Sequence, residues 1–202
     1  MNPVERIHDA YVYGRRTQRL AAILSSLIPS NCRLLDIGCG DGKLAQLLLE
    51  ARVDLHIQGV DVLVRKQTSI PVTSFDGTNL PYPNSSFDGV MLIDVLHHTC
   101  DPRLLLREAM RVSRRWLVVK DHVREGFAAA ARLGFMDYVG NARHQVSLPY
   151  TYLTRREWVA LRTDLNLKVT AELCRLRLYP WPADYIFGAG LHFAALWEHT
   201  TP

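Results

Sequence analysis

The 202-residue sequence predicts one doubly wound α/β domain: a mostly parallel, seven-stranded sheet with helices on both faces, an N-terminal helix, and a cap inserted after the fifth strand. Three observations predict it. Short apolar runs alternate with segments of helical period, the pattern of βαβ units. The first run, 32–37, leads directly into Gly38-Cys39-Gly40-Asp41-Gly42, a turn that opens a helix. Trp116-Leu117-Val118-Val119-Lys120 is almost continuously apolar, as in a strand covered on both faces.

The elements follow in order. Ile7, Ala10, Tyr11, Leu20, Ala21, Ile23, Leu24 and Leu27 recur at helical spacing over 5–28, and Pro29 ends the run. Leu44, Leu47 and Leu48 mark one side of a helix over 43–51, and 55–61 and 70–75 read as the second and third strands. Residues 76–86 are dense in turn formers and predict a loop. A fourth strand covers 87–94, and Asp101-Pro102 starts a helix to about Val112, with proline in its first turn. Thr154-Arg155-Arg156-Glu157 matches a capping box for a helix to about Leu165, and strands over 168–177 and 191–197 complete the sheet. Residues 121–153 have no counterpart in a minimal α/β sheet and are read as a substrate cap, with 1–29 as an N-terminal helical lid on a single domain, 1–202.

Composition narrows the function classes. With 48% hydrophobic and 22% charged residues the chain reads as an ordinary globular protein. It lacks both a run of the roughly 20 apolar residues needed to span a membrane and the layout of a secretory signal, so it is expected in the cytoplasm. Cys32, Cys39, Cys100 and Cys174 form no Cys-x-x-Cys pair and suggest neither zinc site nor disulfide framework. The net charge of +4 divides into −1 over residues 1–100 and +5 over 101–202, without a block of consecutive basic residues longer than a pair. A nucleic-acid partner is therefore not the leading expectation.

The glycine loop carries the chemistry. In an open parallel sheet, ligands sit beyond the carboxyl ends of the strands. Glycines there let a backbone approach closely. A dinucleotide fingerprint requires a third glycine where this chain has Lys43, and Asp36 and Asp41 are poor company for a pyrophosphate. The loop suits a ligand with a cationic amino group.

At these residues the chain resembles the class I S-adenosylmethionine methyltransferases, in particular the small-molecule group that includes the ubiquinone and menaquinone C-methyltransferases. The resemblance spans about residues 30–120 and four ordered pieces: 35–42; Gly59-Val60-Asp61; Asp76-Gly77 with Leu80-Pro81-Tyr82; and 86–90 leading to Leu96-His97-His98 and Asp101-Pro102. It implies S-adenosylmethionine as cofactor, S-adenosylhomocysteine as product, and these roles. Asp61 accepts both ribose hydroxyls, and Val62 lies against the adenine face. Asp76 accepts from the adenine amino group while the Gly77 N–H donates to the ring. Asp36, with the backbone of Gly38, Cys39 and Gly40, holds the methionine end. Asp94 completes the cofactor set after the fourth strand. Tyr11, Tyr13, Arg15 and Arg16 either fold over the cofactor, with an arginine on its carboxylate, or pack on the surface.

Methyl transfer from a sulfonium is an in-line displacement, in which the protein aligns acceptor and methyl and, for oxygen or nitrogen acceptors, removes a proton. Residues after the fourth and fifth strands are placed for this: Asp94, His97, His98, Asp121 and His122. His122 is the first choice as base, with Asp121 and His98 beside it. The alternative is that Leu96-His97-His98 is only a turn lining the pocket. A divalent ion among Asp94, Asp121 and His122 is also conceivable, but a histidine suits magnesium poorly, and no metal is expected. Phe127, Phe135, Tyr138, Tyr150 and Tyr152, with Arg143 and His144, give the cap an apolar lining with a few polar groups. The expected reaction is methylation of a small organic acceptor that is aromatic, quinone-like or lipid-like. A nucleic-acid methyltransferase and a non-catalytic cofactor-binding regulator are the alternatives.

Overall fold

The computed structural model describes residues 14–141, 151–188 and 190–199. The predicted helix positions Ile7, Ala10 and Tyr11, the lid residue Tyr13, and the cap residues Arg143, His144 and Tyr150 lie outside them.

The described residues form one seven-stranded sheet in the order β3-β2-β1-β4-β5-β7-β6. Helix α1 (Gly14–Leu27) precedes β1 (Cys32–Ile37), and α2 (Lys43–Ala51) leads to β2 (Leu55–Asp61) and the short β3 (Val72–Ser74). Strand β4 (Phe87–Ile93) is followed by a 3-10 turn, Leu96–His98, then α3 (Pro102–Val112) and β5 (Ser113–His122). The cap contributes α4 (Ala129–Asn141). Then come α5 (Arg155–Asp164), β6 (Lys168–Leu173), a π-helical turn at Asp184–Gly188, and β7 (His192–Glu198). Strands β1 to β5 are parallel, and β7 runs antiparallel between β5 and β6.

Alternation along β5 explains how the sheet is covered. Leu117 and Val119 join the core with Leu105, Leu106 and Ala109 of α3 and with Trp158 and Leu161 of α5. Trp116 and Val118 point the other way, among Ala21 and Leu24 of α1 and Ala45 and Leu48 of α2. Because side chains alternate across a strand, Lys120 and His122 belong to the α1 face and Asp121 to the opposite one. Two helix starts match their sequence signals: Asp101 accepts from the Arg103 N–H, and Thr154 and Glu157 form the complete capping box.

Some expected boundaries shift. The third strand is three residues long, with Val72 to Ser74 pairing with β2 rather than the whole of 70–75. Strand β5 is longer than 116–120 because it pairs with β7 as far as Asp121 and His122, so these two residues belong to the sheet and the cap begins after them. The strand expected over 168–177 stops at Leu173.

Gly89 supplies a stability prediction. Opposite it in the β4–β5 register lies Trp116, and a Cβ at Gly89 would sit 2.3 Å from the indole ring. Gly89→Ala is expected to destabilise the fold by about 2 kcal/mol, read as a lower thermal midpoint.

Candidate active site

The carboxyl ends of β1, β4 and β5 open onto a cavity of about 770 Å³. One end is lined by Asp36 and the loop from Gly38 to Asp41, the middle by Arg16 and Asp94, and the far end by His97, His98 and His122 with Phe135, Met136, Asp137, Val139, Tyr179 and Phe187.

Backbone geometry shapes the loop end. Gly38, Gly40 and Gly42 have φ of 68°, 59° and 74°, the left-handed region. A Cβ on Gly38 would fall 2.5 Å from Val95, whereas one on Gly40 would meet nothing within 4 Å, so backbone is open to the cavity there. Asp61 braces this turn: Oδ2 accepts from the Gly40 N–H at 2.8 Å and Oδ1 from the Leu63 N–H at 2.9 Å. Each oxygen keeps a second acceptor position. Val62 is 60% exposed beside Gly77, where a Cβ would sit 3.3 Å from the Val62 side chain. Asp36 is buried at the base of the loop, and burial, reinforced by Asp61, pushes its carboxyl up to about 7. Burial likewise holds Cys39 as a thiol, with its sulfur over Gly59, so its contribution to the loop is backbone.

Two expected residues are committed elsewhere. Asp76 stands exposed and spends its carboxylate on the turn, accepting from the Thr78 and Asn79 N–H groups and the Asn79 side chain. Asp121 is fully buried and outside the cavity lining. It accepts from the Leu96 N–H at 3.0 Å, the His122 N–H at 2.7 Å and His97 Nδ1 at 2.7 Å. So enclosed, Asp121 does not face the cavity, unlike His98 and His122, with which the sequence reading grouped it.

The far end is a balanced charge network. His97 lies between two carboxylates, Nδ1 on Asp121 and Nε2 3.3 Å from Asp137. Burial disfavours its imidazolium, but these two acids outweigh burial and raise it to about 10. Tyr152 donates to Asp137, tying the last residues of the cap to α4. Asp94, at a left-handed φ of 57°, pairs with Arg16 on one oxygen and with the fully buried Lys120 on the other. Arg16, Lys120 and His97 thus face Asp94, Asp121 and Asp137.

His122 lies within this network, its Nδ1 3.4 Å from Asp121 Oδ1 and 3.8 Å from Asp94 Oδ1. The same Nδ1 stands 3.2 Å from His97 Nδ1, and the two carboxylates favour the tautomer with the proton on Nδ1 and the lone pair on Nε2. Burial lowers the His122 pKa, helped by the His97 and Lys120 cations, so the ring is neutral at pH 7. His98 lines the same cavity and is pushed down to about 4 by burial and by His97. Asp94, His97, Asp121 and His122 could also converge on one metal ion. Their donors do not fit one: Asp94 is held by two cations, and Asp121 by two N–H groups and an imidazolium.

Sequence reasoning missed three members. Lys120 reads as the end of an apolar strand, His192 is an isolated residue, and Asp137 lies in a cap of irregular pattern. Of the cap aromatics expected to line a pocket, Phe135 does so, stacked on Phe187 with ring centroids 5.8 Å apart. Phe127 and Tyr138 are exposed and Tyr152 is buried against His97 and His122.

The fold and the glycine-loop cavity define the class I S-adenosylmethionine methyltransferase architecture. A family model described as "Methyltransferase domain" matches residues 6–172, and the chain belongs to this family. One similar protein is 27-O-demethylrifamycin SV methyltransferase of Amycolatopsis mediterranei (strain S699), 33% identical over 131 residues, covering 54% of this chain and 48% of that protein. Another is the probable tRNA methyltransferase 9B of Bos taurus, 25% identical over 124 residues, covering 54% and 26%. Among solved structures, a Thermotoga maritima protein described as a SAM-dependent methyltransferase, possible histamine N-methyltransferase, superposes with a TM-score of 0.64. It is 21% identical, covering 96% of this chain and 94% of that one. The chain spans about half the length of several curated relatives that it matches. Among the described residues no helix is long and apolar enough to cross a membrane.

Proposed function

We propose that this chain is an S-adenosylmethionine-dependent methyltransferase that methylates a hydroxyl on a small, largely apolar acceptor. The observation that carries this reading is one continuous cavity, with a glycine loop over a buried acid at one end and apolar side chains around a neutral imidazole at the other. When bound, the cofactor supplies an electrophilic methyl on a sulfonium.

The chain's own residues supply the rest. The Gly38–Gly40 backbone and Asp36 hold the amino acid end, where an ammonium satisfies the buried carboxyl. Asp61 takes the ribose hydroxyls on its spare acceptor positions, and Val62 and Gly77 flank the base. Asp76 serves its own turn first and meets the adenine amino group only with remaining acceptor capacity. Phe135, Met136, Val139 and Phe187 exclude water and seat the acceptor, and His122 Nε2 takes the hydroxyl proton. Residues 121–153, less the two strand residues, act as the substrate cap of a single domain.

Asp36 gives this reading a pH signature. Its carboxyl is raised to about 7, and an adjacent ligand ammonium favours the ionised form, so binding below pH 7 releases a proton. Affinity is therefore expected to fall as pH drops below 7, by up to about tenfold per unit, and Asp36→Asn should flatten the dependence. Calorimetry in buffers of different ionisation enthalpy measures the proton directly.

The deciding experiment is transfer of labelled methyl from S-adenosylmethionine to a panel of phenols, quinols and hydroxylated lipids, with transfer RNA as a separate arm. Labelling of a small hydroxylated acceptor supports the proposal. Labelling of the RNA alone replaces it with the nucleic-acid reading that the basic second half and the Bos taurus relative favour.

A further inference from the structure

Lys120 is the one lysine among the described residues that is fully buried. It lies in the interior of the sheet, with Ile93 of β4 and Ala194 of β7 as its register partners. Its ammonium pairs with Asp94 Oδ1 and stands 3.3 Å from His192 Nδ1. A buried ion pair is seldom more stable than apolar residues of the same volume, so packing alone gives no reason for a lysine here. Asp94 adds a second costly feature, a left-handed backbone at a residue that is not glycine. Both features meet at the middle of the cavity, where Asp94 separates the glycine loop from the imidazoles.

We propose that Lys120 is a positioning residue: its ammonium, paired with the Asp94 oxygen that stands 3.8 Å from His122 Nδ1, holds that carboxylate against the cavity and sets a fixed positive charge on the sheet face that carries His122. A cation there disfavours the charged form of the ring. The inference rests on the methyl-transfer reading in taking His122 as base, but the charge arrangement stands apart from it. Charged or titratable groups face His122 from every element around it. Asp121 and Lys120 come from its own strand, and Asp94 from the end of β4. His97 comes from the following turn at a ring distance of 4.4 Å, His192 from β7 at 4.9 Å, and Tyr152 from the end of the cap at 5.9 Å. Arg16 of α1 acts through Asp94. Among the cations, Lys120 holds its charge from the sheet interior, out of reach of any acceptor. Burial lowers its own pKa, and the Asp94 partnership opposes that.

The test follows the histidine ring titrations by NMR in the full chain, with His122 assigned from the signal lost in His122→Ala. In Lys120→Met, which keeps most of the aliphatic stem and removes the ammonium, the His122 midpoint is expected to rise by about one pH unit. Lys120→Gln still donates to Asp94 and carries no charge; it is expected to show the same rise and serves where the methionine variant melts too low. Lys120→Arg should restore the wild-type midpoint. The acid limb of turnover should move upward with the ring in the uncharged variants and return in the arginine variant. A His122 midpoint unmoved in Lys120→Gln overturns the proposal, leaving Lys120 as a structural neutraliser of Asp94. Because the ring titration needs neither cofactor nor acceptor, failure of S-adenosylmethionine to bind the wild type would end the methyl-transfer reading, and the titration would still decide the role of Lys120.

Discussion

Asp61→Ala is expected to lower the affinity for S-adenosylmethionine by about 100-fold or more. Two hydroxyl-to-carboxylate hydrogen bonds contribute about 1.5–3 kcal/mol each, and their loss alone accounts for that factor. The variant also removes the acceptor for the Gly40 and Leu63 N–H groups, so the loop that forms the cradle loses its brace at the same time. Calorimetric titration of wild type and variant measures the loss. Asp61→Asn should fall between them, because the amide oxygen can still accept one of the two loop bonds. An affinity for the alanine variant within a fewfold of wild type would remove Asp61 from the site.

What the sequence revealed depended on how local each signal was. Strands β1, β2 and β4 were legible because each is a short apolar run bounded by turn residues, and Asp36, Asp61 and the glycines follow from their positions at strand ends. Helix α5 was legible to its first residue because a capping box is a four-residue device. The far end of the cavity was harder to read. Asp137 sits on α4, which presents Phe135 and Asp137 toward the cavity and Tyr138 to solvent, so no single apolar stripe marks the helix. His192 comes opposite His122, and within 3.3 Å of the Lys120 ammonium, only because the antiparallel β7 closes on β5 there, and Lys120 sits at the end of a five-residue run otherwise apolar. Asp121 and His122 were found by position, but pairing with β7 was needed to show that they are strand residues on opposite faces. Their surroundings diverge for that reason: Asp121 faces inward to Leu96 and His97, and His122 lines the cavity.

His122→Ala is expected to reduce turnover by roughly 10²- to 10⁴-fold while leaving affinity for S-adenosylmethionine close to wild type, the signature of a group that acts on the acceptor's proton. The sign of the pH dependence follows from the site. Burial and the His97 and Lys120 cations lower the His122 pKa below its ordinary 6.5, so the ring is the free base at neutral pH and turnover is flat there. Activity falls only as acid protonates the ring, below the ordinary imidazole range. His98, pushed down to about 4 by burial and by His97, is a weaker base than an ordinary imidazole and takes a proton less favourably. His98→Ala is therefore expected to leave the acid limb in place, and His122→Ala to abolish it along with most of the rate. If His122→Ala turned over at the wild-type rate, methyl transfer here would need alignment alone, and the acceptor would have to reach the cavity already deprotonated or react at carbon.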